Sequence, residues 1–457
     1  MNKIPSNVAR RQAAVCLALI REIDQAVVNN RQPADQVLAH IYRQHREYGA
    51  RDRRFFSNAV FSWFRWRGWL KTPTNENAAA AILLDTAEIP PQMEYMIADS
   101  VLKSAGLKPL GALNLEDKAA GLQELLKCGH LGIEQLAPDW VFDSLFIPAN
   151  CQPQSHLRRC LESFQTRPPT WLRLRSDQIH PMIRLLTQLQ IETGSHPFIE
   201  PAVFIKGSKK CDLSQLPKVE AQDLASQCVG ICCNPKPGEK WWDVCAGSGG
   251  KSLHLADLMQ DNGLILATDI RPAILKQLRK RLKRNKYRSI KISLWDGAAG
   301  LPAACPQCYL PEAAAPARKA ALNAAGGSLQ AGPAPKTYFD GVLVDAPCSG
   351  LGTWSRNPDA RWRTSAIQIR DYADIQKNLL RIAAGKVSPG GKLIYSTCTL
   401  TKAENTDIIS RFLEEHREFH LEKIINPLNH HHTDGIIWIR PWEWNCNGMF
   451  IAVMRKD

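Results

Sequence analysis

The chain has 457 residues, length for about three domains, which excludes a peptide or a one-domain module. Hydrophobic residues make up 44% and charged residues 22%, ordinary globular usage that excludes wholesale disorder. Lys+Arg total 58 against 44 Asp+Glu, and the resulting +14 favours a polyanionic partner such as nucleic acid or an acidic membrane surface, without naming it. No run approaches about 18 uninterrupted apolar residues, and the first residues run into Arg10 and Arg11 without a secretory core. A soluble, cytoplasmic, monomeric protein is expected, its 14 scattered cysteines present as thiols.

From Val8 to about Leu70 apolar residues recur every three and four positions (Val15, Leu19, Ile23; Val37, Leu38, Ile41; Phe55, Ala59, Trp63), which predicts helices throughout. Over 49–70 the arginines Arg51, Arg53, Arg54, Arg65 and Arg67 interleave with Phe55, Trp63, Trp66 and Trp69. That pattern suits a phosphate-contacting, base-stacking surface, and equally a helix core with a solvated basic face. Residues 71–150 are turn-rich, punctuated by Pro90-Pro91 and Pro148, and are expected to add helices up to Ile147. A helical domain over 1–147 follows. The stretch 148–220 reads as a small α/β adaptor: Trp171 to Arg175 alternates as a strand, 182–191 is helical and 201–206 is a second short strand.

From Glu239 onward strands alternate with helices at 251–260, 272–286 and 366–386. The strands lead to Asp243-Val244, Asp269, Asp296, Val344 and Ser396. This predicts an α/β, Rossmann-type domain over 221–457, with a mostly parallel doubly wound sheet and a ligand crevice at the strand C-termini. Between Leu301 and Lys336 the chain turns to Ala, Pro and Gly, read as a flexible insertion (301–336) outside the sheet. Within it Cys305-Pro-Gln-Cys308 supplies two ligands where structural zinc needs four, so free thiols are expected. The adjacent His430-His-His432 cannot all face one ion and read as a solvated tract. No metal site is expected.

The turn Asp243-Val-Cys245-Ala246-Gly247-Ser248-Gly249-Gly250-Lys251 lets backbone approach a ligand at a helix N-terminus, but has neither P-loop nor dinucleotide spacing. Asp269 ends the next strand, where an acidic residue takes a ribose hydroxyl pair, and Asp296 follows the third, within reach of an adenine edge. A nucleotide-like site without a pyrophosphate clamp points to S-adenosyl-L-methionine. Cys348, in Val344-Asp345-Ala-Pro-Cys-Ser-Gly350, and Cys398, in Tyr395-Ser-Thr-Cys-Thr399, then fall on the crevice rim, where dipoles or a basic neighbour can activate a thiolate.

These motifs, with Glu404-Asn405 and Gln222-Asp223-Leu-Ala-Ser-Gln227, resemble the RNA cytosine-5 methyltransferases. The start, with Ala50-Arg-Asp-Arg53, is similar to the NusB-like RNA-binding domain of their bacterial ribosomal-RNA branch, the RsmB type, and Trp171-Leu-Arg-Leu174 to its middle segment. The resemblance thins over 71–150 and stops at the insertion. It implies methylation of cytosine C5 in RNA, with small-subunit (16S) ribosomal RNA as the leading substrate. Cys398 would be the nucleophile adding at C6, Cys348 the aid to product release, Asp345 a partner of the ring N3 or exocyclic amine, and Lys251 a neighbour of cofactor and base. The implied cofactor residues are Cys245 to Lys251 with Asp269, Asp296 and Asp345. One departure stands out: Gly247-Ser248 replaces the family's Ala-Pro, which predicts a looser turn. The alternatives are a transfer-RNA cytosine-5 methyltransferase, a DNA enzyme with Cys348 as nucleophile, and a silent ribosome-assembly factor. Arg356, Arg361 and Arg363, and the basic run from Lys276 to Arg288, are the expected RNA backbone contacts.

Overall fold

The computed structural model describes residues 4–97, 108–175, 178–206, 216, 219–297 and 338–457, so the insertion at 301–336, with Cys305 and Cys308, lies outside the described residues. The chain forms two compact units, 1–168 with 350–368 and 169–349 with 369–457. The first boundary therefore falls at Pro168 and not at Ile147. Its reason is an amphipathic helix that the sequence reading did not separate from the adaptor, Pro153–Gln165, which buries Cys160, Leu161 and Phe164.

The first unit is built on α1 (Ser6–Asn30), α2 (Ala34–Gln44), α3 (Ala50–Leu70), α4 (Asn75–Asp85), α5 (Leu115–Leu126), α6 (Trp140–Ser144) and α7 (Pro153–Gln165). The aromatics of α3 are core: Phe56, Trp63 and Trp66 are essentially inaccessible. Their indoles are satisfied internally, Trp63 Nε1 donating to Asp24 (2.8 Å) and Trp66 Nε1 to Asp85 (2.7 Å). Arg67 pairs with the same Asp24 (2.6 Å) and buried Arg65 with Asp85 (3.4 Å). The interleaving of Arg and Trp is thus a buried ion-pair and indole lattice, which corrects the base-stacking surface; Arg51 and Arg54 remain exposed.

Segment 350–368 folds into this unit through Arg361, which is wholly inaccessible. Its guanidinium donates to the carbonyls of Leu136 (2.5 Å), Phe164 (3.2 Å) and Arg65 (3.4 Å), and lies over the rings of Phe164, Trp354 and Trp362. Arg363 pairs with Asp359. Arg361 is therefore a structural keystone and not an RNA contact, which corrects that expectation.

The second unit begins with a four-stranded antiparallel sheet, order β2-β3-β1-β4, of β1 (Thr170–Leu174), β2 (Thr193–Ser195), β3 (Ala202–Ile205) and β4 (Val219–Ala221), with helix α8 (Ile179–Gln188). The three-residue β2 and β4 are too short for alternation to declare them. After α9 (Leu224–Cys233) the large sheet starts: β5 (Lys240–Asp243), α10 (Gly250–Leu258), β6 (Leu264–Asp269), α11 (Pro272–Asn285), β7 (Ile290–Leu294) and β8 (Phe339–Asp345). After α12 (Ala360–Arg363) and α13 (Ala366–Ala384) come β9 (Val387–Thr397), α14 (Thr406–Glu415), β10 (Phe419–Leu421), a β11/β12 ribbon (Ile424–Ile425, His432–Thr433), β13 (Ile436–Ile439), α15 (Pro441–Trp444) and β14 (Met449–Lys456).

The described order is β10-β14-β9-β8-β5-β6-β7, with β13 on β14; β7-β6-β5-β8-β9 pair in parallel and β14 antiparallel to β9. Parallel strands must be covered on both faces, and alternate residues point to opposite sides. Trp241 accordingly joins a core with α9, α10 and α11, and Trp242 a core with α13 and α14. The order places β5 and β8, and then β9, side by side, so their C-terminal ends share one rim.

Candidate active site

The rim builds a cavity of about 660 Å³, lined by the turn after β5, the ends of β6 and β8, the loop after β7, and α13. The turn closes because glycine tolerates what other residues do not. Gly247 (φ +55°) and Gly249 (φ +87°) are left-handed, and a Cβ on Gly249 would meet Leu278 Cδ1 at 2.2 Å. Gly249 therefore packs against α11, whereas Cys245, Ala246, Gly247, Ser248, Gly250 and Lys251 face the cavity. The turn is also braced from outside. Arg281 donates to Ser248 O (2.8 Å) and Oγ (3.3 Å), and to Glu220 of β4 (2.6 Å). The Gly247-Ser248 departure thus gains a tether, which corrects the expected looseness; nothing in the local sequence pairs residues 248, 281 and 220.

Asp269 and Asp296 both line the cavity, with Asp296 two residues beyond the end of β7. Burial would raise the Asp269 carboxyl, but Arg271 hydrogen bonds and charge, with Gly247 N–H, hold it below the usual carboxylate range. A ribose reaching Asp269 must displace the Arg271 side chain, which is 62% exposed. Ile270, Trp295, Ile375 and Leu379 add an apolar wall of the kind an adenine ring packs against, with Tyr372 beside it. Two acidic groups, an apolar slot and an open glycine turn fit S-adenosylmethionine in shape and polarity.

At the opposite end lie the thiols. Cys348 lines the cavity, and its Sγ is 3.4 Å from Cys398 Sγ. Cys398 is not a lining residue; it sits half-buried behind Cys348. Its thiol is held below the usual thiol range chiefly by the hydrogen bond with Cys348, and by Lys251, against burial and the charges of Asp345 and Glu404. Lys251 Nζ bonds Asp345 Oδ2 at 2.8 Å, and Ser396 Oγ donates to the other carboxylate oxygen at 2.8 Å. Burial works against the Lys251 ammonium, but Asp345, with Cys398 and Asp243, holds its pKa above the ordinary lysine value. The structure thus brings Cys398, Cys348, Asp345 and Lys251 into one cluster.

The other described cysteines of this unit behave differently. Cys228, Cys232 and Cys233 on α9, with Cys446, are buried in apolar surroundings that push their thiols up, Cys232 to about 12. Burial pushes Cys245 up as well. His430, His431 and His432 are exposed, and among the described residues no His/Cys/Asp/Glu group can hold a metal. Among the described residues, also, no helix is long and apolar enough to cross a membrane.

Residues 230–305 and 317–455 match the family model described as 16S rRNA methyltransferase RsmB/F. A probable ribosomal RNA small subunit methyltransferase B of Synechocystis is 36% identical over 259 residues, 55% of this chain and 51% of that one. A protein of the same description from Bacillus subtilis is 32% identical over 244 residues, 52% and 48% of the two chains. The chain thus spans about half the length of these curated relatives. Among solved structures, PH0851 superposes over 99% of both chains with TM-score 0.68 and 23% identity. A methyltransferase homolog from Pyrococcus horikoshii covers 79% of this chain and 100% of its own, with TM-score 0.52 and 20% identity. At those identities the likeness is one of fold.

Proposed function

We propose that the chain, whose residues 230–305 and 317–455 match the 16S rRNA methyltransferase RsmB/F family model, methylates cytosine C5 in RNA from S-adenosylmethionine, with small-subunit ribosomal RNA as substrate. The observation that carries the reading is the pair of thiols 3.4 Å apart, Cys348 on the wall of a cavity suited to the methyl donor and Cys398 behind it, with the Lys251–Asp345 ion pair on the same wall.

Cytosine C5 is a weak nucleophile until a group adds at C6. The Cys398 thiolate forms that C6–S bond, and the pair's electrons move toward N3, where the Asp345–Lys251 pair sits to bind the polar edge of the ring and stabilise the charge. The turn after β5, with Asp269 and Asp296, would hold S-adenosylmethionine, which would supply the electrophilic methyl to C5 and leave as the thioether S-adenosylhomocysteine. Cys348, having passed its own proton to water, takes the C5 proton; the C5–C6 double bond re-forms, the C6–S bond breaks and Cys398 leaves as thiolate. The exposed cations Lys276, Arg279, Lys280, Lys283 and Arg288, on and just after α11, serve the RNA backbone, and the helical unit serves as the NusB-like RNA-binding domain.

The test is denaturing electrophoresis of Cys348→Ala with small-subunit ribosomal RNA, transfer RNA and DNA as separate substrates. A retarded protein–RNA band with C348A, absent in C398A and in the double mutant, is expected with ribosomal RNA. A band with transfer RNA alone would reassign the substrate, and a band lost in C348A but kept in C398A would reverse the thiol roles. No band with any polymer would leave the silent assembly factor.

A further inference from the structure

Behind the two thiols lies a buried polar network that the proposed chemistry does not yet use. Glu404 is wholly inaccessible, and among the described residues no cation pairs with it. Leaving such a carboxylate bare costs several kcal/mol. Here its oxygens accept from Ser349 N (2.8 Å), Ser349 Oγ (2.5 Å), Thr401 Oγ1 (2.7 Å) and Gln376 Nε2 (3.2 Å). The same Gln376 amide donates to Pro347 O at 2.9 Å. The residues on both sides of Cys348 are therefore held, one by Glu404 directly and the other through Gln376.

The neighbouring Asn405, also wholly inaccessible, does the same for Cys398. Its Oδ1 accepts from Thr397 Oγ1 (2.5 Å) and its Nδ2 donates to Thr399 O (3.1 Å) and Thr401 O (2.8 Å). A Ser349–Thr399 hydroxyl contact of 2.7 Å closes the two halves on each other. A densely bonded buried network of this kind, in which Gln376 Oε1 has no partner among the described residues, fixes one geometry where an apolar filler would allow several.

We propose that Glu404 and Asn405 are positioning residues with separate tasks: Glu404 holds the Cys348 loop where it can assist product release, and Asn405 holds the Cys398 loop where it can attack C6. The inference rests on the proposed methyl transfer. Glu404 and Asn405 touch neither substrate nor donor; they set where the two sulfurs stand, and a displacement of about 1 Å at a reacting group costs on the order of a hundredfold in rate. Two adjacent residues thus divide between two half-reactions.

The experiment measures, on small-subunit ribosomal RNA in single turnover, both the rate of adduct formation and the rate of its release in the full chain. In E404Q, release is expected to fall about ten- to a hundredfold while adduct formation stays within about threefold, so the adduct accumulates. In N405A, adduct formation falls by a similar factor and nothing accumulates. S349A, which removes one hydroxyl, should repeat the E404Q pattern more weakly, and it carries the test if E404Q melts early. Parallel loss of both rates in every variant, or E404Q and S349A turning over as the unmodified chain does, would overturn the clamp. Absence of any adduct in C348A would instead remove the methyl-transfer reading on which the clamp rests.

Discussion

Each unit buries a cation, and the two are held in opposite ways. In the helical unit no carboxylate among the described residues pairs with Arg361; three carbonyls and three aromatic rings enclose it, and burial with the nearby Arg65 pushes its guanidinium down to about 9. In the other unit Lys251 is ion-paired to Asp345, stays charged, and stands on the wall of the large cavity. Burial is common to both, so burial alone does not mark chemistry. A counter-ion that itself faces a cavity does, because only such a pair can be lent to a ligand.

The largest effects should fall on the catalytic side of this contrast. C398A is expected to lower methyl incorporation into RNA by more than about a thousandfold, and K251A by about a hundred- to a thousandfold, both read by transfer of labelled methyl groups. Neither should shift the melting midpoint much, since Asp345, whose side chain is 27% exposed, can be rehydrated once Lys251 is gone. R361A should do the reverse to stability. It leaves three buried carbonyls without a donor and a hole between rings, at a cost of about 3–5 kcal/mol in chemical denaturation. A K251A protein that melts as R361A does, or an R361A protein that melts normally, would break the distinction between the two cations.

That contrast also explains what the sequence could disclose. Cys348, Cys398, Asp345 and Lys251 were legible because each follows a strand or opens a helix at a motif whose spacing is local. The parallel sheet was legible because strands and helices alternate along the chain and short apolar runs, Leu264 to Ala267 in β6 and Val342 to Val344 in β8, each end at an aspartate or just before one. Arg361 was misread because an arginine two residues from another in a basic stretch has the same local signature whether it meets solvent or a set of aromatic rings. Its partners, Leu136 and Phe164, lie 225 and 197 residues away. Gln376 and Arg281 were invisible for the same reason. Each sits on an amphipathic helix at a position that periodicity marks only as inward or outward, never as bonded to a particular loop.

A smaller effect sharpens the catalytic half. The Cys398 thiol lies below its ordinary range, chiefly through the Cys348 hydrogen bond. The rate at which Cys398 is alkylated by iodoacetamide should therefore rise with pH to an inflection below that of a free thiol. Removing the donor in C348A moves the inflection up, so that near pH 7 the labelling of Cys398 slows by about three- to tenfold. An inflection that stays in place would mean that Lys251 alone sets the thiol, and would separate the two cysteines that geometry now couples.

The finest test concerns a third buried charge, which shows that the distinction follows pairing and not the unit. Asp243, at the end of β5, is wholly inaccessible; Ser252 Oγ donates to one of its oxygens at 2.6 Å and the other oxygen has no partner among the described residues. Burial pushes this carboxyl up to about 7 against the Ser252 hydrogen bond, and the charge of Asp345 adds to the rise. A carboxyl raised in the folded state favours folding fully only below its unfolded value near 4, and that contribution drains away as pH rises toward about 7. The melting midpoint should thus decline by several degrees between about pH 4 and pH 7 from this group. In D243N the side chain stays neutral throughout and the decline should flatten, while methyl transfer at low pH changes little because Asp243 does not line the cavity. An unchanged slope in D243N would place Asp243 with Lys251, as a charge whose partner offsets its burial, and would make the unpaired Arg361 an isolated case.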